Sequence, residues 1–301
     1  MRVGSVLTLI ILTRDEEANL PFALSSIACL GARVFVVDSG SVDRTRQIAE
    51  AAGCVVVEHP FTNQAEQVNW ALQNLPLETE WIMRLDADER ITPELAEELR
   101  TCLPNARPEV SGFEVKRRFY FWGRWIRHGG YYPTWLLRIW RRGSAASESR
   151  WMDEHMVSKG GVIARLQFDI IDENHKSLAS WTSKHNAYAD REVSDLLSAP
   201  ANANGLQGQA ARKRWMKYNV YGRSPLYLRA FAYWAMRYLV LGGWLDGRAG
   251  LVYHFLQGFW YRFLVDAKLD ESRLRERVVR RQSGGTTGKR GRGPECERDG
   301  T

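Results

Sequence analysis

The sequence contains little cysteine and no closely spaced cysteine pair. Four cysteines occur among 301 residues, none of them forms a Cys-x-x-Cys pair, and each lies far from the next. A small secreted domain that is held together by disulfides would show a denser pattern. We therefore expect the chain to work in a reducing cytoplasm.

Long hydrophobic runs are missing as well. The run at residues 5–13 is short, is followed by charged residues and has no small-residue cleavage site, so it predicts a buried strand and not a signal peptide. Two aromatic stretches, residues 226–245 and 251–265, are interrupted by arginine and contain no 18 consecutive apolar residues. We expect interfacial or re-entrant helices on a membrane surface. A helical cap on the core or an oligomer interface is the alternative.

Acidic residues are fewer than basic ones. The chain has 42 Lys and Arg against 35 Asp and Glu, which gives a net charge of +7. Such a balance favours nucleotides, nucleic acid or an anionic membrane as partners, without choosing among them. After Ser272 the sequence has nine Lys and Arg against four acids, and it is Gly-rich from Gly284. We predict a disordered basic tail over residues 273–301.

Strand and helix patterns alternate through the first hundred residues. Helical spacing follows each of four apolar, β-rich stretches, at residues 5–13, 33–41, 54–59 and 80–86. This alternation predicts an α/β fold with a mostly parallel, Rossmann-like sheet and helices on both faces. We expect a nucleotide-binding half over about residues 1–105, an acceptor half over 106–175 and a helical region over 176–272.

Three polar clusters follow three of the predicted strands. They are residues 13–17, 38–43 and 86–89. In open α/β sheets, ligands gather outside the carboxyl ends of the strands. Asp38 could therefore accept hydrogen bonds from a base or a ribose, although it could also only cap its loop. Thr13, Arg14 and Asp15 could hold the same part of a nucleotide.

Asp86 and Asp88 stand two residues apart at the end of the fourth predicted strand. On an extended strand, side chains at this spacing point the same way. Two convergent carboxylates can hold Mg²⁺ or Mn²⁺ together with substrate phosphates. The alternative is a solvated turn in which Asp88 and Glu89 favour the start of the following helix.

Four sequence stretches resemble the family 2 glycosyltransferases in order and spacing: "ILTRDEEANL", "VVDSGSVDRT", "QVNWAL" and "EWIMRLDADE". The resemblance covers about residues 5–175 and implies an inverting enzyme with a GT-A fold. It implies that Asp38 binds the nucleoside and that Asp86 and Asp88 bind diphosphate and a divalent metal. The nucleotide-sugar pocket would also contain Thr13, Asp15, Glu17 and Asn69.

Two positions depart from the family pattern. Asp15 stands where the first motif often has Asn, and Val68 stands where the third often has a basic residue before its Asn. The second change predicts one cationic phosphate contact fewer. Arg138, Arg141 and Arg142 could pair with the donor diphosphate or with a phosphorylated acceptor, or form a solvated basic face.

The longer pattern resembles a lipopolysaccharide core subgroup of β-1,4-glucosyltransferases that act on inner-core heptose. It is carried by residues 119–143, residues 151–161 and the aromatic C-terminal stretches. The resemblance implies UDP-glucose as donor and a glycolipid acceptor. It also implies a peripheral position on the inner face of the cytoplasmic membrane. Oligomers are possible, and nucleic acid is not an expected partner.

An inverting transfer needs a general base on the acceptor side. Glu154 falls on the family's base carboxylate, with Asp153 next to it, whereas an exposed acidic turn is the alternative. His175 stands where some GT-A enzymes have a histidine that completes the metal shell, although a lone histidine is often a packing residue. His155 is expected to be structural.

Other functions fit the sequence less well. A nucleotidyltransferase usually has a Gly-rich, basic phosphate loop after its first strand, and this chain has Arg-Asp-Glu-Glu there. The non-enzymatic alternative is a basic membrane-associated or nucleic-acid-binding protein on a non-catalytic GT-A scaffold. Only the tail and the net charge support it, because acids at three strand ends would repel phosphate when no metal is present.

Overall fold

A nine-stranded mixed sheet forms the centre of the fold. The computed structural model describes residues 6–148, 155–197 and 208–284. The strands in these ranges are β1 (Leu7–Thr13), β2 (Arg33–Asp38), β3 (Val55–Glu58), β4 (Trp81–Asp86), β5 (Glu89–Ile91), β6 (Val110–Phe121), β7 (Arg124–Trp125), β8 (Thr134–Arg141), β9 (Ala145–Ser147), β10 (Met156–Ser158) and β11 (Val162–Glu173).

Nine α-helices accompany these strands in the described ranges. They are α1 (Leu20–Ile27), α2 (Thr45–Ala51), α3 (Gln64–Asn74), α4 (Pro93–Cys102), α5 (Leu178–Leu197), α6 (Gly208–Asn219), α7 (Leu228–Ala235), α8 (Gly247–Tyr253) and α9 (Tyr261–Gly284). π-helical segments at Met236–Val240 and His254–Trp260 continue α7 and α8.

The sheet has a parallel half and a mixed half. Its order is β3-β2-β1-β4-β8-β6-β11-β5, with β7 beside β6, while β9 and β10 form a separate ribbon. Strands β3, β2, β1 and β4 are parallel, β8 runs antiparallel between β4 and β6, and β6 and β11 are parallel. This arrangement confirms the α/β fold that the alternating patterns predict.

Helices cover both faces of the parallel half because successive strand residues point to opposite sides. Leu9 and Ile11 of β1 pack in one cluster with Leu95 of α4. Ile10 packs on the other side with Val68 of α3. Both faces of β1 are therefore buried, which explains its continuous apolar sequence.

The C-terminal helices pack on one another and on the sheet. Ala189 and Val193 of α5 meet Val265 of α9 in one apolar cluster. A second cluster joins Tyr253 of α8 to Ile126, just after β7. None of the helices in the described ranges is long and apolar enough to cross a membrane.

The last helix is longer than the sequence patterns predict. A disordered tail was expected from residue 273, but α9 continues to Gly284. Glu271 and Arg275 are one turn apart and form an ion pair, which supports the helix beyond that boundary. The rest of the expected tail, residues 285–301, lies outside the described residues.

Candidate active site

The carboxyl ends of β1, β2 and β4 meet at one edge of the sheet. Thr13 lies opposite Asp38 in the register of β1 and β2, and Leu12 lies opposite Asp86 in that of β1 and β4. Thr13 and Asp86 line a cavity of about 1170 Å³. Small-molecule sites commonly measure roughly 300–1,000 Å³, so this cavity can hold a donor and part of an acceptor.

Cations outnumber acids on the described wall of the cavity. Three acids line it: Glu16, Asp86 and Glu114. Eight basic residues line it: Arg14, Arg84, Arg117, Arg138, Arg165, Lys176, Lys184 and Arg191. Five of these have carboxylate partners. Arg14, Lys184 and Arg191 form no ion pair with any described residue, so the wall favours an anionic ligand.

Two arginines fix the carboxylate of Asp86. Arg84 Nε donates to its Oδ1 at 3.0 Å, and Arg138 Nη2 donates to its Oδ2 at 2.9 Å. Arg138 also pairs with Glu89, which is buried in β5. Burial raises the pKa of Asp86, but Arg138 and Arg84 outweigh it and hold that pKa well below its ordinary value. Asp86 is therefore ionised at physiological pH.

Asp88 is less constrained than Asp86. Its backbone oxygen accepts a hydrogen bond from the Glu173 N–H at 2.9 Å, and Asn174 Nδ2 donates to its Oδ2 at 3.3 Å. No lysine or arginine in the described ranges forms an ion pair with this carboxylate. Asp88 can therefore bind a cation without breaking an existing ion pair.

His175 does not join Asp86 and Asp88 in a metal site. Among the described residues, no group of three His, Cys, Asp or Glu side chains could hold a metal ion. The His175 ring packs on Phe22 with centroids 4.3 Å apart, and the His175 backbone N–H donates to Asn19 Oδ1 at 2.8 Å. Because these contacts tie His175 to α1, the structure does not bring the three predicted ligands together.

Asp38 lies behind the cavity wall with its hydrogen-bonding capacity in use. Its side chain is fully buried, and it accepts hydrogen bonds from Thr13 Oγ1 at 3.0 Å and Arg46 Nε at 2.9 Å. The Gly40 and Ser41 N–H groups donate to it at 3.1 and 2.8 Å. Burial raises the pKa of Asp38, but hydrogen bonds from the Ser41 hydroxyl and N–H, Arg46 and Thr13 outweigh it and hold that pKa below its ordinary value. A base could bind here only by replacing one of these donors.

Asp15 and Glu17 connect the loop after β1 to the loop after β2. The Asp15 N–H donates to Ser41 Oγ, and Asp15 Oδ1 accepts from the Val42 N–H, both at 2.8 Å. Glu17 Oε2 accepts from Arg44 Nε at 3.1 Å. Neither carboxylate lines the cavity, whereas Glu16 between them does. The two predicted pocket residues hold the pocket's loops together.

Asn69 anchors β9 to α3. Its Nδ2 donates to the Ser147 oxygen at 2.8 Å, and its Oδ1 accepts from the Ser147 N–H at 2.9 Å. Val68 is buried in the core, and Gln67 is the neighbour that reaches the cavity. The expectation that Val68 removes a cationic phosphate contact is therefore wrong, because this position faces away from the cavity.

Helix α5 contributes a cationic face that the sequence motifs do not predict. Lys184, Tyr188 and Arg191 line the cavity at helical spacing i, i+4 and i+7. Burial lowers the pKa of Lys184, but Tyr188, Asp88 and Glu16 outweigh it and raise that pKa above its ordinary value. Their helical spacing was the signal in the sequence that these side chains share one face.

Three arginines were predicted as phosphate contacts: Arg138, Arg141 and Arg142. Of these three, only Arg138 lines the cavity. Arg141 lies over Trp81, with its Cζ 4.5 Å from a ring centroid, and Arg142 Nη1 donates to the Leu77 oxygen at 2.9 Å. Arg141 pairs with Trp81 in the register of β8 and β4, at the opposite end of β4 from Asp86. A phosphate role for Arg141 and Arg142 is therefore wrong.

The predicted general bases, Glu154 and Asp153, lie outside the described residues. His155, the first described residue after them, lines the cavity. The Nδ1 of His155 is 3.1 Å from Glu148 Oε1, and the His155 backbone N–H donates to the same oxygen at 3.0 Å. These contacts agree with the structural role expected for His155.

Solved structures of low sequence identity resemble this fold. Glucosyl-3-phosphoglycerate synthase from Mycobacterium tuberculosis, solved with Mn²⁺, UDP and glucosyl-3-phosphoglycerate, is 22% identical and has a TM-score of 0.32. The match covers 40% of this chain and 46% of that one. S. aureus TarS 1-349 is 14% identical over 88% of this chain and 91% of that one, with a TM-score of 0.44. At these scores, the likenesses carry no argument about substrates.

Sequence relatives of this chain are named glycosyltransferases. An uncharacterized glycosyltransferase of Rickettsia bellii (strain RML369-C) is 36% identical over 89 residues, and the match spans only 30% of that relative's length. Another, of Rickettsia typhi (strain ATCC VR-144 / Wilmington), is 31% identical over 280 residues, covering 89% of this chain and 88% of that one. The model of the family "Glycosyl transferase family 2" matches residues 8–173. The chain therefore belongs to glycosyltransferase family 2.

Proposed function

We propose that this glycosyltransferase moves glucose from UDP-glucose to a glycan of the lipopolysaccharide core, with inversion at the anomeric carbon. The observation that carries the donor half is the cation-rich cavity at the strand ends. A nucleoside diphosphate would supply the ion-pair partner that Arg14, Lys184 and Arg191 lack among the described residues. Glucose and the core acceptor rest on the resemblance of residues 119–143 and 151–161 to the subgroup.

A divalent cation, Mg²⁺ or Mn²⁺, is part of the proposal. Asp88 and Asp86 would hold it, because such ions are commonly bound by one or two carboxylates together with substrate phosphates. Asp88 has no ion pair to break in the described structure, whereas Asp86 would share its oxygens with Arg84 and Arg138. When bound, the ion would neutralise charge on the departing diphosphate.

The protein's own cations would bind the diphosphate from two sides. Lys184 and Arg191 approach from α5, and Arg14 approaches from the loop after β1. Fixed cations at the point where negative charge develops stabilise the transition state more than the ground state. In this role, Lys184 and Arg191 favour departure of UDP.

The acceptor would occupy the part of the cavity beside β8. Trp135 lines this part. Arg165 Cζ and Lys116 Nζ lie 4.6 and 5.7 Å from centroids of the Trp135 ring system. An indole offers a flat apolar surface to a pyranose ring. Arg165 is paired with Glu114 and Lys116 with Asp169, so an acidic group on the acceptor would share or replace one of these pairs.

Glu154 is the proposed general base, with Asp153 as the alternative. The base takes the proton of an acceptor hydroxyl while that oxygen forms a bond to C1 of glucose. The bond from C1 to the β-phosphate oxygen breaks at the same time, and UDP leaves with the electron pair. The assignment rests on the resemblance of residues 151–161 to the subgroup.

A thermal-shift panel tests the donor site. Wild type, Asp88→Asn and the exposed control Glu109→Gln are heated with UDP, UDP-glucose, UDP-N-acetylglucosamine, GDP or GDP-mannose, each with Mn²⁺ or EDTA. A ligand at 100 times its Kd adds about 2.7 kcal/mol of stability. We expect UDP-glucose to stabilise wild type and Glu109→Gln in Mn²⁺, and Asp88→Asn much less.

Each other result removes a defined part of the proposal. Equal stabilisation in EDTA would contradict the requirement for a metal. Stronger stabilisation by the GDP ligands would contradict recognition of uracil. No stabilisation by any of the nucleotides would contradict the donor site itself.

A further inference from the structure

The C-terminal helices turn apolar side chains toward solvent. Between Tyr227 and Phe263, Val240 is 78% exposed, and other large apolar side chains are about half exposed. We call this surface the apolar face and define it by Leu228, Phe231, Leu239, Val240, Trp244 and Phe255. Scattered exposed apolar residues are normal, but contiguous patches mark interaction sites.

The aromatic part of this face is continuous across two helical segments. The Phe259 ring lies between Phe255 and Phe263, with centroids 5.6 and 5.7 Å away. Phe263 in turn contacts Tyr227 at 5.0 Å, before the start of α7. The aromatic side chains therefore connect α7 to the continuous helix formed by α8 and α9.

Arginines in this segment point inward. Arg229 is buried, and its Nε donates to Asp266 Oδ1 at 2.8 Å. Arg262 Nη1 donates to Glu192 Oε1 at 2.9 Å. Arg229 and Arg262 are therefore neutralised inside the protein and do not make its outer surface polar.

The other charged side chains of this segment also have partners inside the protein, except for Arg248. Arg237 Nε donates to the Gly129 oxygen at 2.6 Å, and Asp246 is buried against His128, whose Nδ1 lies 2.7 Å from its Oδ1. Arg248 is the exposed charged residue between Tyr227 and Phe263. A surface with apolar groups outside and acids inside is the reverse of an ordinary water-facing surface.

We propose that the apolar face docks on a lipid bilayer that contains anionic headgroups. Its side chains would enter the boundary between headgroups and acyl chains, as in interfacial helices. Arg248 and the exposed Arg223 would meet lipid phosphates. A second copy fits less well, because a symmetric interface would pack the face against itself and offer no exposed acid to these arginines.

Vesicle sedimentation of the full chain tests this surface. Wild type, the double variant Leu239→Glu/Val240→Glu and the control Val55→Glu are mixed with phosphatidylcholine vesicles, with and without phosphatidylglycerol. Val55 is an exposed apolar residue on β3, outside the apolar face. We expect wild type and control to bind phosphatidylglycerol vesicles more tightly than neutral ones. The double variant should bind about tenfold or more weakly, because two apolar groups no longer enter the lipid.

Two results would overturn the proposal. One is equal vesicle binding by wild type and the double variant, with unchanged circular dichroism in both. The other is wild type that binds no vesicle but dimerises in sedimentation velocity, with the dimer lost in the double variant, which would assign the face to a second copy. Neither measurement uses a sugar donor, so the result is independent of the proposed function.

Discussion

Arg138 Nη2 lies 2.9 Å from Asp86 Oδ2 and joins β8 to the carboxyl end of β4. The same nitrogen pairs with the buried Glu89. One guanidinium therefore bridges two carboxylates beside the donor cavity. This contact links the acceptor half of the sheet to the Asp86–Asp88 turn of the nucleotide half.

Replacing Arg138 with Met should strongly destabilise the fold. It would leave Glu89 without its buried cation, and breaking a buried ion pair typically costs about 3–5 kcal/mol. Urea unfolding measures the loss in free energy of unfolding. Adding Glu89→Gln should recover part of it, because the amide removes the unpaired charge. Wild-type stability in Arg138→Met would contradict this account of the pair.

Asp15→Asn should fold as well as wild type. Asp15 has φ of +54°, a left-handed conformation that Asn and Asp tolerate better than most other residues. An Asn Oδ1 can still accept the hydrogen bond from the Val42 N–H. Asp15→Ala, by contrast, should cost about 1–3 kcal/mol through strain and the lost bond.

Melting temperatures of the two Asp15 variants decide this prediction. Equal melting temperatures for Asp15→Asn and Asp15→Ala would show that neither the conformation nor the bond contributes to stability. The expected order also explains the departure from the family pattern, because Asp and Asn meet the same backbone requirement here.

Lys184→Met should weaken donor binding. Lys184 lines the cavity and forms no ion pair with the described residues, so its charge is available to an anionic ligand. A hydrogen bond to a charged group contributes about 1.5–3 kcal/mol, which predicts a Kd for UDP about tenfold to a hundredfold higher. Calorimetric titration with UDP measures it.

The matched control for Lys184→Met is Arg107→Met. It also removes one positive charge, but Arg107 lies outside the donor cavity. The same Kd for UDP in both variants would mean that net charge, and not the position of Lys184, determines affinity.

Asp172 predicts a pH dependence of stability. Burial, together with Asp88, Glu89 and Asp86, raises its pKa to about 8 against the lowering effect of Arg117. The folded state therefore retains a proton that the unfolded state loses above its ordinary pKa of 3.8. Between about pH 4 and pH 8, stability should fall as pH rises, by at most about 1.4 kcal/mol per unit from this group.

Urea unfolding of wild type and Asp172→Asn across this window measures that slope. The variant should lose part of the decline in stability, because Asn cannot titrate. Parallel curves for the two proteins would show that the pKa of Asp172 does not differ between the folded and unfolded states.

The sequence predicted the parallel half of the fold and the meeting of three polar clusters. This half can be predicted because its sequence signals are local. They are apolar strands and the helical spacing that follows each of them. The antiparallel placement of β8 between β4 and β6 was not predictable, because strand order depends on long-range pairing. The burial of Glu89 followed from this placement, since its partner Arg138 is on β8.

The roles of individual residues in the site are harder to predict from the sequence than the position of the site. Asp15, Glu17 and Asn69 carry the family motif, but their side chains hold loops and strands together in the structure. Lys184 and Arg191 lie far along the chain from the motifs and reach the cavity only because α5 packs beside it. Sequence spacing shows that two residues share a helix face, but not which cavity that face borders.

The most direct test of the account is proton NMR of a reaction that contains UDP-glucose, Mg²⁺ and a lipopolysaccharide core acceptor. We predict release of UDP together with a new β-linked glucose signal on the acceptor, since inversion converts the α-linked donor. An α-linked product, or UMP released together with glucose phosphate, would contradict inverting sugar transfer in this cavity.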